Sequence, residues 1–283
     1  MLSVDKMSQS DFAFAVELVN TMNWNMTEAD FAFNIQMQPD GCFILRENSK
    51  PIGLATCISY GKIGWFGNLI VDENHRKQGS GTRLVNHAVN YLRSVGVTTV
   101  GLYAYTHLVN FYGNVGFETN TEFLAMKAEK ILCPNNSRSE TKFETPKQQD
   151  IPQIIELDAT CFGGSRAKLL SEIISVKGNI CYIEKENDKV NGFAGAKVYE
   201  GMAEVGPMVC PRTHTKNAKS LLYAVMVKLE GSEAYAYLPS NDASLVREIG
   251  KFGFNEEFRV VRMFLGFPAQ KDCIYLAESL ERG

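Results

Sequence analysis

The stretch DENHRKQGSGTRLV, residues 72–85, combines basic side chains with closely spaced glycines. Arg76, Gly79 and Gly81 lie within six residues, directly after an apolar run that ends at Val71. Glycine lets a backbone approach a ligand closely, and the free N–H groups at a helix N-terminus favour an anion. The pattern therefore predicts a phosphate or pyrophosphate site at a strand-to-helix junction. The alternative interpretation is a flexible basic surface turn.

Two other phosphate-binding patterns do not fit this stretch. A P-loop requires a lysine directly after its last glycine, and here Thr82 follows Gly81. A dinucleotide fingerprint requires a third glycine where this chain has Leu84.

The stretch resembles the acyl-CoA-binding motif of the GNAT superfamily of N-acetyltransferases. That motif is a strand ending in valine, a short loop, and R/Q-x-x-G-x-G/A, which Val71, Arg76, Gly79 and Gly81 match. A second GNAT signature, Y-x-x-x-G-F, is present as YGNVGF at residues 112–117. The resemblance covers most of residues 1–130 and implies acetyl-CoA as co-substrate.

The resemblance also implies how acetyl-CoA is bound. Two splayed strands, near 62–71 and 98–104, hold the pantetheine, and loop amides hold the pyrophosphate. Asn110 is a further candidate, although Tyr105 and Leu108 depart from the family pattern N-x-x-A-x-x-x-Y. The residues implied to bind the co-substrate are Leu69, Ile70, Val71, Arg76, Lys77, Gln78, Gly79, Ser80, Gly81, Thr82 and Asn110.

The implied chemistry is attack of an amine on a thioester, which needs an acid for the leaving thiolate and a base for the amine. Tyr112 matches the tyrosine that the family places beside the sulfur; a core tyrosine is the alternative. The strand before the loop, KIGWFGNLIV, carries no carboxylate. His107, Tyr105 and Tyr60 remain as candidate bases, and the sequence does not decide among them.

The acceptor pocket of the family forms between the first two helices. The candidates there are Trp24 and Asn25, with Tyr60 as aromatic wall and Asn68 to orient a water molecule. A Trp-Asn pair of this kind resembles tandem members of the superfamily whose first domain is active. Each aromatic residue is equally well explained as part of the core.

The chain repeats itself. GCFILRENSKPIGLATCISY, from Gly41, is similar to GNICYIEKENDKVNGFAGAKVYE, from Gly178. Both copies keep a glycine-phenylalanine pair at a similar distance downstream, ending at Phe117 and Phe254. We predict an α/β fold of two tandem GNAT-like mixed α/β domains, each a twisted, mostly antiparallel sheet splayed at its centre with flanking helices. The predicted boundaries are 1–132 for the GNAT domain, 133–142 for a linker and 143–283 for a degenerate GNAT-like domain.

Hydrophobic periodicity and turn residues predict the elements of the first copy. The predicted helices are near 8–20, 27–37, 80–94 and 107–114, and the predicted strands near 42–47, 51–60, 62–71, 98–104 and 121–130.

The second copy has lost the phosphate motif. It reads MVCPRTHTKNAKSLL, without glycine, and Ile249 stands in the place of Tyr112. We therefore expect no turnover there. The stretch ATCFGGSRAKLL, residues 159–170, is interpreted either as a helix-capping turn or as a ligand-binding motif around Arg166.

Composition limits the class of protein. The net charge of −3 gives no basic field for nucleic acid, and no apolar run is long enough to span a membrane. No long apolar leader is visible near residue 1, so a cytoplasmic location is expected. Seven scattered cysteines without a C-x-x-C pair predict reduced thiols and no metal site.

The leading functional hypothesis is an acetyl-CoA-dependent N-acetyltransferase that acts on a primary amine of a small molecule or amino acid. A non-catalytic acyl-CoA sensor and a protein acetyltransferase, acting on lysine or N-termini, are the alternatives. We expect a monomer or homodimer.

Overall fold

The first copy of the repeat begins with a short strand and continues through helices and strands close to those predicted. A computed structural model describes residues 1–134 and 143–283, so most of the predicted linker, 135–142, lies outside the described residues. The elements of the first copy are β1 (Leu2–Lys6), α1 (Phe12–Asn20), α2 (Glu28–Met37), β2 (Cys42–Glu47), β3 (Lys50–Tyr60), β4 (Ile63–Val71), α3 (Ser80–Ser94), β5 (Thr99–Tyr105), α4 (Val109–Gly113) and β6 (Glu118–Ala128).

Local sequence explains the predicted helices. The α2 helix starts after Thr27, whose backbone N–H donates to the carboxylate of Asp30 at 2.8 Å, as a capping box requires. The α3 helix buries Leu84, Val85 and the other apolar residues of one face. The β1 strand was not predicted, because only two of its five residues are partly buried and the other three are exposed.

The second copy repeats this order of elements. Its elements are α5 (Ile151–Phe162), α6 (Ala167–Ser175), β7 (Ile180–Glu186), β8 (Lys189–Val198), β9 (Met202–Pro211), α7 (Thr215–Lys228), β10 (Glu233–Pro239), α8 (Ala243–Gly250) and β11 (Asn255–Leu265). One further strand, β12 (Cys273–Leu276), has no counterpart in the first copy. The mixed α/β fold class with a mostly antiparallel sheet is confirmed.

The two copies exchange their last strands. The β11 strand of the second copy pairs with β5 of the first, and β6 of the first pairs with β10 of the second. The exchanged strands also pair with each other, so the sheet is continuous in the order β1-β2-β3-β4-β5-β11-β6-β10-β9-β8-β7. Each copy therefore completes the sheet of the other, a feature that the repeat alone did not predict.

Helices cover both faces of this sheet. The core beneath α3 and α4 and the core beneath α7 lie on one face. The α1 and α2 helices, together with α5 and α6 of the second copy, cover the other face. This second layer includes Trp65, one of the largest fully buried side chains, which packs against Phe162 at 5.6 Å between ring centroids.

The prediction that all seven cysteines are reduced is wrong for one pair. Cys161 of α5 and Cys273 of β12 form a disulfide, with their Cα atoms 6.0 Å apart and a sequence separation of 112. The spacing of cysteines along the sequence does not predict a pair so distant in the chain. The two sulfurs meet because β12 lies beside α5 in the fold. The other five cysteines are free thiols.

None of the described helices combines the length and the apolar character needed to cross a membrane.

Candidate functional site

The central cleft lies between β4 and β5, which run parallel for only three residue pairs. Their pairing ends at Trp65 and Gly101, and the two strands then separate. Beyond this point β4 keeps β3 as its partner on one edge, and β5 keeps β11. The facing edges of the two strands are left with backbone N–H and C=O groups that an extended ligand can pair with. Leu69, Ile70 and Val71 lie on this open part of β4.

A β-bulge redirects β4 within the cleft. The register against β3 shifts between Leu54 and Thr56, opposite Asn68. Asn68 has a φ of 49°, the left-handed conformation that asparagine tolerates better than most residues. Its side chain accepts a hydrogen bond from Thr56 Oγ1 at 2.7 Å and approaches Met26 Sδ at 3.1 Å. The predicted water-orienting residue is therefore held by protein contacts at the edge of the acceptor side.

The glycine loop leads directly from β4 into α3. Gly79 has a φ of 82° and is the N-cap of α3, so no side chain caps this helix. The N–H groups of Ser80, Gly81 and Thr82 belong to the first turn, which has no intrahelical partners for them. A Cβ on Gly81 would lie 3.3 Å from the ring of Phe111 on α4. The N-terminus of α3 thus presents uncapped amides, as an anion site needs.

The basic side chains near these amides differ in what they contact. Arg76, Lys77 and Gln78 are exposed on the loop, and Arg76 Nε donates to the carbonyl of Val71 at 2.8 Å. This contact fixes the arginine where β4 ends. Arg83 instead donates to the carbonyl of Leu2 at 2.9 Å and so supports β1.

Tyr112 lies at the α4 side of the cleft. It is 5% exposed, and its ring packs against Phe66, Phe111 and Phe117. Burial raises the pKa of Tyr112, so its hydroxyl keeps its proton across the physiological range. A protonated hydroxyl in an apolar wall is suited to donate to a leaving anion.

The acceptor side of the cleft is bounded by the loop between α1 and α2. Trp24 Nε1 donates to the hydroxyl of Tyr105 at 3.1 Å, which joins this loop to the end of β5. Burial raises the pKa of Tyr105, so this hydroxyl keeps its proton near neutral pH and its phenolate is not populated as a base. Trp24 thus contacts Tyr105, as Asn68 contacts Met26 of the same loop.

Other predicted residues lie elsewhere. Tyr60, at the far end of β3, is buried, and its hydroxyl donates to the carbonyl of Arg282 at 3.0 Å. His107 is exposed and stacks on Tyr105 at 5.8 Å between centroids. Asn25 and Asn110 are exposed on the surface. The structure therefore gives Tyr60 a packing role and does not bring it to the cleft.

The corresponding cleft of the second copy is filled by the chain itself. The β9 and β10 strands also pair over a short stretch and then part. Strand β12 pairs with Met208–Pro211 of β9 in the space that opens. The loop there carries Arg212, which is bound at 2.8 Å to both Asp242 and Asp272. A remaining cavity of about 150 Å³ is far smaller than a CoA molecule needs.

Sequence reasoning missed residues 277–283, which reach the first copy from the second. They contain Glu281, whose backbone contacts Gly67 of β4. No motif marks this segment, because its position depends on strand β12. The buried guanidinium of Arg166 pairs with Asp158 at 2.6 Å and donates to the carbonyl of Gly283, so it ties the α5–α6 turn to residues 277–283.

Comparison with known proteins agrees with this geometry. Residues 11–117 match the profile of the acetyltransferase (GNAT) family, and residues 154–276 match that of an acetyltransferase (GNAT) domain. The holothin acyltransferase of Pseudoalteromonas sp. (strain SANK 73390) is 23% identical over 266 residues, covering 92% of this chain and 87% of that protein. The uncharacterized N-acetyltransferase YitH of Bacillus subtilis is 22% identical, covering 72% of this chain and 71% of its own.

Two solved structures share the whole architecture. A proposed acetyltransferase from Pyrococcus horikoshii superposes with a TM-score of 0.81 at 21% identity, covering 100% of this chain and 96% of that one. A tandem GNAT protein from the clavulanic acid biosynthesis pathway gives a TM-score of 0.64 at 12% identity, covering 96% and 100%. These similarities establish the fold.

Proposed function

Because the chain belongs to the GNAT acetyltransferases, we propose that its first copy transfers an acetyl group from acetyl-CoA to a primary amine of a small molecule. The observation that carries the proposal is the parting of β4 and β5 next to the uncapped N-terminus of α3, with Tyr112 packed against Phe66 of β4. The holothin acyltransferase, similar over most of its length, supports a small-molecule acceptor.

The residues of the cleft fit acetyl-CoA. The exposed loop from Arg76 to Gly79 and the first turn of α3 offer N–H groups and positive charge to the pyrophosphate. The open edge of β4, at Leu69 to Val71, offers backbone groups to the pantetheine amides. Acetyl-CoA supplies the acyl group as an activated thioester.

Tyr112 serves as the acid in this proposal. Its buried hydroxyl donates to the sulfur as the carbon–sulfur bond breaks, which stabilises the developing thiolate. The Trp24–Tyr105 hydrogen bond shapes the opening through which the amine arrives. Attack is direct, within a complex of the protein with both substrates.

The second copy offers no acetyl-CoA site of its own in this proposal. Its cleft is occupied by β12, and Ile249, in the place of Tyr112, is buried in an apolar cluster. We expect one CoA site in each chain.

Calorimetry with CoA and acetyl-CoA tests the binding part. We expect the native protein to bind, Arg76→Ala to bind more weakly, and the matched variant Arg212→Ala in the second copy to bind like the native protein. Absence of binding at high micromolar concentration would contradict the proposal. Release of free thiol from acetyl-CoA with a panel of amines tests transfer; binding without release would favour a non-catalytic acyl-CoA sensor.

A further inference from the structure

Residues 273–283, here called the inserted segment, pass from the cleft of the second copy to the cleft of the first. Strand β12 pairs antiparallel with β9, and the N–H of Ala277 then donates to the carbonyl of Tyr237 on β10 at 2.9 Å. Gly206 of β9 lets the chain pass, since a Cβ there would clash with the carbonyl oxygen of Ala277. The Cys161–Cys273 disulfide fixes the start of the segment to α5.

The end of the inserted segment is anchored on the first copy. Tyr60 Oη donates to the carbonyl of Arg282 at 3.0 Å, and Trp65 Nε1 donates to that of Leu280 at 3.2 Å. Between these two anchors, Glu281 contacts Gly67, and a Cβ on this glycine would lie 2.8 Å from Glu281 Cα. Gly67 belongs to the open part of β4, directly before the bulge. The backbone of Glu281 is thereby held against the open part of β4.

The two carboxylates of this segment differ in their surroundings. Glu278 is fully buried and pairs with Lys197 at 2.5 Å and Arg282 at 3.1 Å. Glu281 has one ion pair, with Arg282 at 2.8 Å, and 23% of its side chain is exposed. Glu278 is thus held by two ion pairs in the interior, whereas the side chain of Glu281 is partly accessible.

Burial of Glu281, rather than the charges around it, favours proton uptake. Burial raises the pKa of this carboxyl, and the Glu204 carboxylate on β9 and Glu278 act in the same direction, while Arg282 and Lys197 of β8 oppose them. The carboxylate also acts on Tyr237 of β10, whose pKa is raised chiefly by burial. A carboxyl with a raised pKa is matched to a base that works near neutral pH.

We propose that Glu281 is the proton acceptor for the amine in the first copy. This inference rests on the proposed transfer reaction. It supplies the base that β4 lacks, because no residue from Ile63 to Val71 is acidic. The inserted segment fills the cleft of the second copy and, in this proposal, supplies the base to the cleft of the first copy.

The carboxylate of Glu281 removes one proton from the incoming ammonium group, and that proton passes to solvent after the reaction. The neutral nitrogen forms a bond to the acetyl carbon, and the carbon–sulfur bond breaks with its electron pair on sulfur. The second proton leaves the nitrogen to solvent as the amide forms, while Tyr112 protonates the thiolate and regains a proton from solvent.

The test compares Glu281→Gln, Glu281→Asp and the matched surface variant Glu230→Gln. Thiol release from acetyl-CoA is measured from pH 5 to pH 10 with ethanolamine, putrescine, spermidine, glucosamine, tyramine and glycine. CoA affinity by calorimetry and the melting temperature are measured for each variant.

We expect Glu281→Gln to lower kcat/KM near neutral pH by about 10²–10⁴-fold, the range of general acid–base catalysis. Its activity should recover at alkaline pH, where the amine is already neutral. CoA affinity should stay unchanged, Glu281→Asp should restore part of the rate, and Glu230→Gln should match the native protein.

Three results would overturn the inference in distinguishable ways. A native protein that releases no thiol with any amine removes the proposed transfer reaction, and Glu281 loses its role with it. An active native protein whose Glu281→Gln variant keeps the same rate and pH profile removes only the role of Glu281. A variant with a uniformly lower rate and melting temperature, without alkaline recovery, assigns Glu281 to structure.

Discussion

Replacement of Gly67 by alanine tests whether the inserted segment lies against β4. The new methyl group would be 2.8 Å from Glu281 Cα and closer still to its carbonyl oxygen, and both are backbone atoms. The segment cannot shift freely, because hydrogen bonds from Tyr60 and Trp65 hold the neighbouring carbonyls. Overpacking of this kind costs about 1–3 kcal/mol of unfolding free energy. For a chain of this size the melting temperature should fall by roughly 2–10 °C.

Scanning calorimetry measures the effect, with Gly250→Ala as the control. Gly250 ends α8, and among the described atoms no neighbour comes within 4 Å of a Cβ built there. Alanine at a helical position is favoured over glycine by about 0.5–1 kcal/mol, so the control should melt at or slightly above the native temperature. If Gly67→Ala also melts at the native temperature, the segment does not occupy this position and the argument for Glu281 fails with it.

Three further perturbations address the cleft and the fold. Tyr112→Phe should lower kcat and leave CoA affinity unchanged in calorimetry; an unchanged kcat would exclude an acid role. Gly79→Ala should weaken CoA binding, whereas Gly61→Ala, at a similar φ of 88° with equally open surroundings, should cost similar stability without changing affinity. Burial of Asp11 acts to raise its pKa, but backbone N–H donation and Arg46 at 2.5 Å outweigh burial and lower it. Since the folded pKa is depressed, the Asp11–Arg46 pair should stabilise the protein by about 1–3 kcal/mol above pH 3.8. This contribution should disappear as the pH falls further. Below pH 3.8 the unfolding free energy of Asp11→Asn should therefore change less with pH than that of the native protein.

Much of the local structure could be predicted because local sequence determines it. The α3 helix was predicted at 80–94 and spans Ser80–Ser94, since its apolar face repeats with helical spacing. The β2 strand was predicted with the same accuracy, between a glycine and a charged turn. The exchange of β6 and β11 could not be predicted, because both strands carry the same apolar pattern and either copy satisfies it. The alternation of apolar residues along a strand does not specify which other strand it pairs with.

The candidate site also has a part that the sequence predicts and a part that it does not. The loop around Gly79 is contiguous in sequence, and its φ of 82° explains why glycine stands there. The predicted acceptor side brings together residues far apart in the chain, such as Trp24 and Tyr105, and the backbone of Glu281 from the other copy lies against Gly67 of β4. Tyr60 was misplaced because an aromatic residue at a strand end serves a pocket and a core equally well. In the structure its hydroxyl supports the inserted segment.

The loss of the motif in the second copy is explained by the insertion of β12 into the cleft of that copy. When two parallel strands part, their facing backbone groups need partners, and a buried cleft without them is costly. In the first copy a bound ligand can supply those partners. In the second copy Met208–Pro211 of β9 is paired permanently by β12, so glycines that admit a ligand have no function there. The filled cleft also directs the following residues onto β4 at Gly67. The degenerate copy is therefore not a redundant remnant: by keeping its cleft closed with its own strand, it holds Glu281 in place at the cleft that stays open.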